Sequence, residues 1–327
     1  MKFLNSSWCP IVLAIIFVVA ILSQLFPSRR QTHVASFSFY NDPNRDWQPP
    51  DLNDLPAGPE GDLVRYGHQL ISNTGYYLGP KGILAQISNG LNCQNCHIDA
   101  GLKPFGGSFA AVASTYPKHR PRSGKLESVE FRVNECMERS LNGKALEEKS
   151  IEMKAMVAYL KWVGSEVPKG VKPKGSEIPE IKLLDRPADP VRGKTIYLNK
   201  CQRCHGLDGQ GVFRDSVYLY PPLWGVHAYN VSAGMYRLSR IAGFVKYNMP
   251  FDSAALGYQL TDEDAWDVGA YVNSQPRPGK MFPYDWPDIS KKPYDHPFGP
   301  YTDGFSELQH KYGPYKPIKE KIKANAK

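Results

Sequence analysis

Cysteine is scarce in this chain, and nothing is left over to build a disulfide framework. The 327 residues include six cysteines, and four of them lie in two Cys-X-X-Cys-His motifs. The other two are Cys9, at the edge of an N-terminal apolar segment, and Cys136. A small fold held together by several disulfides is therefore excluded.

Two further absences narrow the class of protein. A zinc ribbon is not expected, because the two cysteine pairs lie about a hundred residues apart, whereas roughly 15–20 residues separate the pairs of a zinc ribbon. No RNA- or DNA-binding motif accompanies the net charge of +8, so nucleic acid is not an expected partner. The positive charge instead favours small anions or an acidic redox partner.

A histidine directly follows each cysteine pair, so that the two motifs cover residues 93–97 and 201–205. In such a motif the two thiols add to the vinyl groups of a haem, and the histidine reaches its iron. The sequence therefore predicts two covalently bound haem c groups. The residues that attach them are Cys93, Cys96, Cys201 and Cys204, and the iron ligands beside them are His97 and His205.

A candidate second iron ligand follows each motif at a similar distance. Cys136 comes 39 residues after His97, and Met249 comes 44 residues after His205. A thiolate ligand stabilises ferric iron, whereas a methionine ligand raises the reduction potential. The two haems are therefore predicted to be unequal, which suggests chemistry at the first and electron exit through the second.

Alternatives to both ligands remain open. Cys136 could be a quiet buried thiol with its neighbour Met137 as the ligand, because a lone cysteine is more often a core residue. Met235 competes with Met249, although it comes earlier and lies in a stretch with a helical pattern. Three further histidines are candidates that the repeat does not place in the ligand position: His68, His119 and His227.

The two motifs lie in a degenerate internal repeat. In each copy an entry helix precedes the motif, and a closing helix follows the second ligand and carries a tyrosine, Tyr159 or Tyr271, at an equivalent position. The predicted helices cover residues 62–72, 147–163, 190–199 and 261–274, the last with Thr261 as its N-cap. We therefore expect a mainly α fold of two class I cytochrome c-like domains in tandem, each enclosing one haem.

Composition divides the chain into six segments. An N-terminal membrane segment (1–35) leads through an extended, Pro-rich linker (36–58) to the first domain. A Pro/Gly/Lys linker joins the two domains, and an irregular tail rich in Pro and aromatic residues is expected to wrap over both. The expected boundaries are 59–167 for a catalytic domain, 168–185 for the second linker, 186–275 for an electron-transfer domain and 276–327 for the tail.

An apolar run at residues 10–26 is preceded by Lys2 and followed by Arg29 and Arg30. It predicts export. Its length is near the lower limit for spanning a bilayer, and no clean Ala-X-Ala cleavage site follows it. We expect it to be retained as an anchor in the inner membrane, with the protein on the periplasmic face. The alternative is a cleaved signal peptide and a soluble periplasmic protein.

Basic residues surround Cys136 in the sequence. Arg132 lies one turn before it if the stretch is helical, which would place both side chains on one face. An arginine fork beside a haem sulfur would bind a tetrahedral oxyanion well. The other basic residues of this cluster are Lys118, His119, Arg120, Arg122, Lys125 and Arg139.

At these residues the chain resembles the dihaem thiosulfate dehydrogenases, a family that couples thiosulfate to tetrathionate. The resemblance covers roughly residues 60–315 and is specific, because Cys136 lies where that family has its unusual haem ligand. The stretches that carry it are 92–101, 103–105, 116–125 and 132–144.

The resemblance implies a role for each candidate residue. His97 and Cys136 would ligate the haem at which thiosulfate reacts, and Arg122 and Arg132 would hold the thiosulfate or tetrathionate anion beside it. The second haem would pass electrons to an external partner, such as a small cytochrome c or a respiratory complex.

Some members of the family carry a lysine before the distal methionine that ligates the oxidised second haem. Here that residue is Asn248, so no such ligand switch is expected. The direction of the reaction is not encoded in the sequence, because thiosulfate oxidation and tetrathionate reduction use the same site. The rival function is a dihaem electron carrier without a substrate, for which Cys136 would be dispensable.

Overall fold

The computed structural model describes residues 45–214, 217–255, 257 and 259–325. The apolar run at residues 10–26, and with it the expected membrane anchor, lies outside the described residues. Among the helices that are described, none combines the length and the apolar character needed to cross a membrane.

The described part is mainly helical, with two short antiparallel hairpins. The α-helices are α1 (Pro59–Ser72), α2 (Thr74–Leu78), α3 (Val112–Thr115), α4 (Val129–Arg139), α5 (Ile151–Val163), α6 (Pro190–Lys200), α7 (Gln202–His205), α8 (Leu238–Asn248), α9 (Phe251–Ala255), α10 (Asp262–Ser274), α11 (Glu307–Tyr312) and α12 (Lys316–Asn325). Strand β1 (Lys118–Arg120) pairs with β2 (Lys125–Glu127), and β3 (Val212–Arg214) pairs with β4 (Val217–Tyr220). Short 3₁₀ helices lie at Leu52–Asp54, Cys93–Asn95, Asp99–Gly101, Gly234–Tyr236 and Ile289–Lys291.

The helices predicted from the sequence are present, with some ends shifted. Helix α1 begins three residues earlier, because Pro59 fits the first turn of a helix. Helix α5 begins later than predicted, after Ser150, whose side chain accepts a hydrogen bond from the amide of Met153. The predicted cap of α10 is confirmed, since the Thr261 side chain accepts from the amide of Asp264.

Buried apolar side chains form two separate clusters, one in each half of the chain. The first cluster includes Leu70, Met153 and Tyr159, and the second includes Tyr197 and Trp266. Each half therefore has its own core, as two domains require.

The entry and closing helices of each half cross at a glycine. A Cβ on Gly67 would lie 2.0 Å from the carbonyl oxygen of Ala155, and a Cβ on Gly193 would lie 1.9 Å from that of Asp267. In both halves the tyrosine of the closing helix packs at the same crossing. Only glycine permits this approach of two backbones, so the two halves share one packing solution.

A Gly193→Ala variant is expected to lose about 1–3 kcal/mol of folding stability, because α6 and α10 must separate to admit the methyl group. Urea unfolding of the holoprotein, followed by circular dichroism, measures the loss. Gly234→Ala is the matched control, since a Cβ there meets nothing within 4 Å. Equal unfolding midpoints for the two variants would contradict the tight crossing.

The tail contacts both halves of the molecule. Asp285 forms an ion pair with Arg139 of α4, with Nη1 and Oδ2 2.6 Å apart. Further along, the buried Asp295 accepts two hydrogen bonds from Arg237, at 2.8 and 2.5 Å. Ile318 of α12 is fully buried in the second core. The tail thus supplies core and ion-pair partners to domains that precede it in the chain.

Candidate functional site

The first Cys-X-X-Cys-His motif is held in place by hydrogen bonds from both sides. Thr74 Oγ1 accepts from the Cys93 amide at 3.1 Å and lies 3.3 Å from the Cys93 sulfur. The Asn92 amide donates to Asn95 Oδ1 at 2.7 Å, which closes the 3₁₀ turn of the motif. These contacts fix the cysteine that attaches one side of the haem.

The ring of His97 is oriented for metal binding. Its Nδ1 is 2.5 Å from the carbonyl oxygen of Gly107, which can only accept, so Nδ1 carries the proton and Nε2 keeps a free lone pair. Burial lowers the pKa of His97 to about 4, which keeps the imidazole neutral at physiological pH. Gly107 has a φ of 77°, and a Cβ there would lie 2.6 Å from the carbonyl oxygen of Cys96. The neutral His97 ring, with the lone pair of Nε2 free, therefore fits a haem iron.

The second motif repeats this arrangement. His205 Nδ1 is 2.9 Å from the carbonyl oxygen of Pro221, and burial lowers the pKa of His205. Arg203, inside the motif, forms an ion pair of 2.6 Å with Asp252. Asp252 lies three residues after Met249, so this pair brings the loop of the predicted ligand to the motif.

The alternative ligands lie in other surroundings. Met137 is 1% exposed and belongs to the first core, and Met235 packs against the second core. His68 lies 3.3 Å from the hydroxyl of Ser72, one turn along α1. The remaining two histidines, His119 and His227, are exposed. These positions favour Cys136 and Met249 as the second ligands.

Helix α4 places Arg132 and Cys136 one turn apart, as the sequence predicted. The helix begins after Ser128, whose side chain accepts from the amide of Phe131 at 3.1 Å. The charge of Cys136 is the main cause of the raised pKa of Arg132. Burial and then the charge of Cys136 raise the pKa of Cys96 to about 12. Cys136 therefore lies within electrostatic range of Arg132 and of Cys96 in the first motif.

Glu135, which the sequence analysis did not single out, joins three arginines. Its carboxylate accepts from Arg132 Nη1 at 2.9 Å and lies 3.5 Å from Arg139 Nε and 3.9 Å from Arg122 Nη1. Although burial opposes it, the three guanidinium groups lower the pKa of Glu135. The sequence did contain a signal for this contact: Glu135 comes three residues after Arg132 and four before Arg139, the spacings at which side chains meet on a helix.

Residues of the tail complete this arginine cluster. Asp285 accepts from both terminal nitrogens of Arg139, at 2.6 and 2.8 Å, and the ring of Phe282 lies 3.8 Å from the same guanidinium. The Trp286 amide donates to the carbonyl oxygen of Arg122 at 2.6 Å, and its ring lies 5.8 Å from the Arg122 guanidinium. The first domain therefore does not form this cluster alone.

The arginine cluster keeps a surplus of positive charge. Three arginines face two carboxylates, Glu135 and Asp285. Burial, followed by repulsion from Arg132, lowers the pKa of Arg122 to about 10, so this side chain is still a cation at neutral pH. The side chain of Arg132 is 33% exposed, whereas that of Arg122 is 14% exposed. Protein atoms therefore enclose Arg132 less completely than Arg122.

A Glu135→Gln variant is expected to lose about 3 kcal/mol of folding stability, because three guanidinium groups then share one carboxylate. Urea unfolding of the holoprotein measures this loss. Glu138→Gln, on the same helix but outside the cluster, is the control and is expected to change stability by less than about 0.5 kcal/mol. Similar losses in both variants would show that Glu135 does not balance the arginines.

The two cores, each beside one haem motif, define the chain as a dihaem c-type cytochrome. Residues 85–168 match the SoxA/TsdA cytochrome c domain family, and residues 190–276 match the cytochrome c family. The expected tandem of two cytochrome c domains with two covalently bound haem c groups is confirmed.

Two curated relatives identify the family. The chain is 37% identical over 232 residues to the thiosulfate dehydrogenase of Stutzerimonas stutzeri (strain A1501), covering 71% of this chain and 73% of the relative. It is 38% identical over 242 residues to that of Psychrobacter arcticus, covering 73% and 71%. The chain belongs to the thiosulfate dehydrogenase family, as its sequence motifs indicated.

A solved structure agrees with this family. The thiosulfate dehydrogenase (TsdBA) from Marichromatium purpuratum, in its as-isolated form, superposes with a TM-score of 0.67 at 30% identity over 72% of this chain. The present chain spans 50% of the length of that protein.

Proposed function

We propose that this protein couples two thiosulfate anions into one tetrathionate anion, or performs the reverse reaction at the same site. A new sulfur–sulfur bond forms between the two thiosulfates, and two electrons are released. No proton is taken up or given off. The observation that carries the proposal is the position of Cys136, one turn from Arg132 and beside the first haem motif, in a chain whose relatives are named thiosulfate dehydrogenases.

In this proposal His97 and Cys136 hold the iron of the catalytic haem, in a domain at residues 59–167. His205 and Met249 hold the iron of the second haem. The neutral, carbonyl-oriented rings of both histidines support these assignments. Bound there, the two haems supply two one-electron acceptors, which match the two electrons of the reaction. The second domain, at residues 186–275, serves electron transfer, and segments 168–185 and 276–327 link and cover the domains.

The arginines bring the two substrate anions together. Each thiosulfate carries two negative charges, so bringing two of them into contact costs electrostatic energy that nearby guanidinium groups offset. Arg132, which is partly exposed, receives the anion, and Arg122 adds a second, more deeply buried positive charge. Glu135 holds both side chains in place. Because no proton moves, the site needs no general acid or base, and its arginines stay charged.

The second haem, held by His205 and Met249, would pass the electrons to an external acceptor, such as a small cytochrome c or a respiratory complex. We place the protein outside the cytoplasm, at the periplasmic face of the inner membrane. The apolar run at residues 10–26 supports this location, either as a retained anchor or as a cleaved signal.

The proposal is tested by mixing the oxidised holoprotein with thiosulfate under anaerobic conditions and recording haem absorbance and tetrathionate. We expect one tetrathionate to form for each chain in which both haems become reduced. Sulfate, a tetrahedral dianion without a reducing sulfur, is the control and is expected to reduce neither haem. The reverse direction is tested by adding tetrathionate to the dithionite-reduced protein. A protein that exchanges electrons with dithionite but reacts with neither sulfur anion would be an electron carrier.

A further inference from the structure

Asn248, the residue before Met249, links the second domain to the first. Its side chain is fully buried, and its Nδ2 donates to the carbonyl oxygens of Phe105 and Phe244, at 3.1 Å each. Both partners can only accept, so the amide nitrogen must face them. The side chain therefore joins the end of α8 to a loop of the first domain, residues 103–107.

The same loop orients His97. The carbonyl oxygen of Gly107 accepts the bond from His97 Nδ1, and that of Gly106 accepts from the amide of Ile98 at 2.9 Å. The oxygen that Asn248 contacts is only two residues before Gly107. One short stretch of backbone thus binds the first histidine ligand at one end and the second domain at the other.

Residues on both sides of Met249 contact this loop. The Tyr247 ring stacks on Phe105, with centroids 6.3 Å apart and planes inclined by 28°. Lys103 Nζ lies 5.4 Å from the ring centroid of Phe251. The segment that carries Met249 is therefore attached to the first domain by a buried hydrogen bond, an aromatic stack and a cation–π contact.

The backbone conformation of Phe105 also indicates that this loop is held firmly by its neighbours. Its φ is 60°, a left-handed conformation that costs a residue with a Cβ roughly 1–2 kcal/mol. Its amide donates to the carbonyl oxygen of Gly175 at 2.7 Å, while its own carbonyl oxygen receives the bond from Asn248. Strain of this kind persists only where the surrounding contacts hold it. Here it aims the carbonyl at the residue next to the predicted methionine ligand.

We propose that Asn248 is a positioning residue that ties Met249 to the loop that orients His97, so that one ligand of each haem is held in a common unit. The inference rests on the proposed ligation of the second haem by Met249. It assigns Asn248 a function that needs a side-chain donor, which aspartate lacks. Fixing the two ligands to one loop also fixes the position of one haem relative to the other.

The test measures how firmly Met249 is held on the second haem. Imidazole competes with a methionine ligand for ferric iron, and the absorbance spectrum of the oxidised holoprotein follows the exchange. An Asn248→Ala variant is expected to bind imidazole about tenfold more tightly at the second haem, the equivalent of about 1.4 kcal/mol and the size of one net hydrogen bond. Electron transfer between the haems, started by rapid mixing with a reductant, is expected to slow.

Asn230→Ala is the matched control. Asn230 is also fully buried, and its Nδ2 donates across to the first domain, to the Glu138 carbonyl oxygen at 2.9 Å and to Asn142 Oδ1 at 3.0 Å. It is not adjacent to Met249 in the chain. Its removal weakens the contact between domains and is expected to leave the imidazole affinity unchanged.

Two outcomes would overturn the inference: unchanged imidazole affinity in Asn248→Ala, or equal increases in both asparagine variants. If Asn248→Ala does not fold, Tyr247→Leu loosens the same contact by removing the ring that stacks on Phe105. It is expected to raise imidazole affinity in the same direction, and no rise would count against the inference. A failure of the proposed function is seen separately, because the titration contains no sulfur anion. A failure of the Met249 assignment is seen in the unmodified protein, as a missing methionine–iron absorption band.

Discussion

A Cys136→Ala variant is expected to oxidise thiosulfate at least about a hundredfold more slowly, while both of its haems are still reduced by dithionite. Partners that only orient a metal ligand already cost 10–100-fold when removed, and Cys136 is proposed to be a ligand itself. Cys136 also lies one turn from Arg132, the residue proposed to receive the substrate, so the change alters the immediate surroundings of that guanidinium. Anaerobic stopped-flow reduction by thiosulfate measures the effect.

Two companion variants separate the role of the thiolate from that of a second ligand as such. Cys136→Met keeps a sulfur near the iron without a charge and is expected to raise the potential of the first haem and to react slowly with thiosulfate. Met137→Leu removes the rival ligand and is expected to leave the haem spectrum unchanged, because Met137 lies in the first core. A spectrum that changes in Met137→Leu but not in Cys136→Ala would assign the ligand to Met137.

An Arg132→Gln variant is expected to lower kcat/KM for thiosulfate by about 10²–10³, the usual cost of removing one group that stabilises developing or approaching charge. Arg132 is the most exposed of the three arginines around Glu135 and lies one turn from Cys136. Its loss leaves the carboxylate of Glu135 without its closest partner. The proposed anion site then has one positive charge fewer and a less well balanced negative charge beside it. Steady-state rates over a range of thiosulfate concentrations measure kcat and KM separately.

Arg120→Gln is the control for the loss of one positive charge in this region. Arg120 lies on β1, and its Nε is 3.9 Å from Glu127, outside the cluster around Glu135. We expect kcat/KM to fall less than about threefold, because partly exposed charges act weakly at a distance in salt solution. If both variants lose the same factor, the arginines act through the overall field of the surface, and Arg132 does not bind the anion.

Features with a local signal could be predicted from the sequence. Each haem motif is an uninterrupted stretch of five residues, so it can be recognised from the sequence alone. Arg132 and Cys136 are four residues apart, and once the stretch is helical they lie on one face of α4. The intervals from each motif to its predicted second ligand are similar, 39 and 44 residues, which is why Cys136 and Met249 are the predicted ligands. The family resemblance rested on these same stretches and is confirmed by the comparisons.

Features that depend on distant parts of the chain could not be predicted. The contact between Arg139 and Asp285 spans 146 residues, and no periodicity links the two. The equivalent glycines of the two helix crossings were also hidden, because Gly67 lies 30 residues before its motif histidine and Gly193 only 12. The connection between the entry helix and the motif is longer in the first domain, so equivalent residues of the two copies lie at different distances before the motif. Only the packing of α1 on α5 and of α6 on α10 makes the glycines comparable.

The contacts of Asp285 and Trp286 with the arginine cluster also set an order of assembly. During synthesis the first haem motif, Cys136 and all three arginines emerge before these two partners are made. A nascent or truncated chain that ends after α10 has every proposed iron ligand but neither tail residue. The cluster around Glu135 is therefore completed only after residues 285 and 286 have been made, and a chain that ends before them lacks these contacts to Arg122 and Arg139.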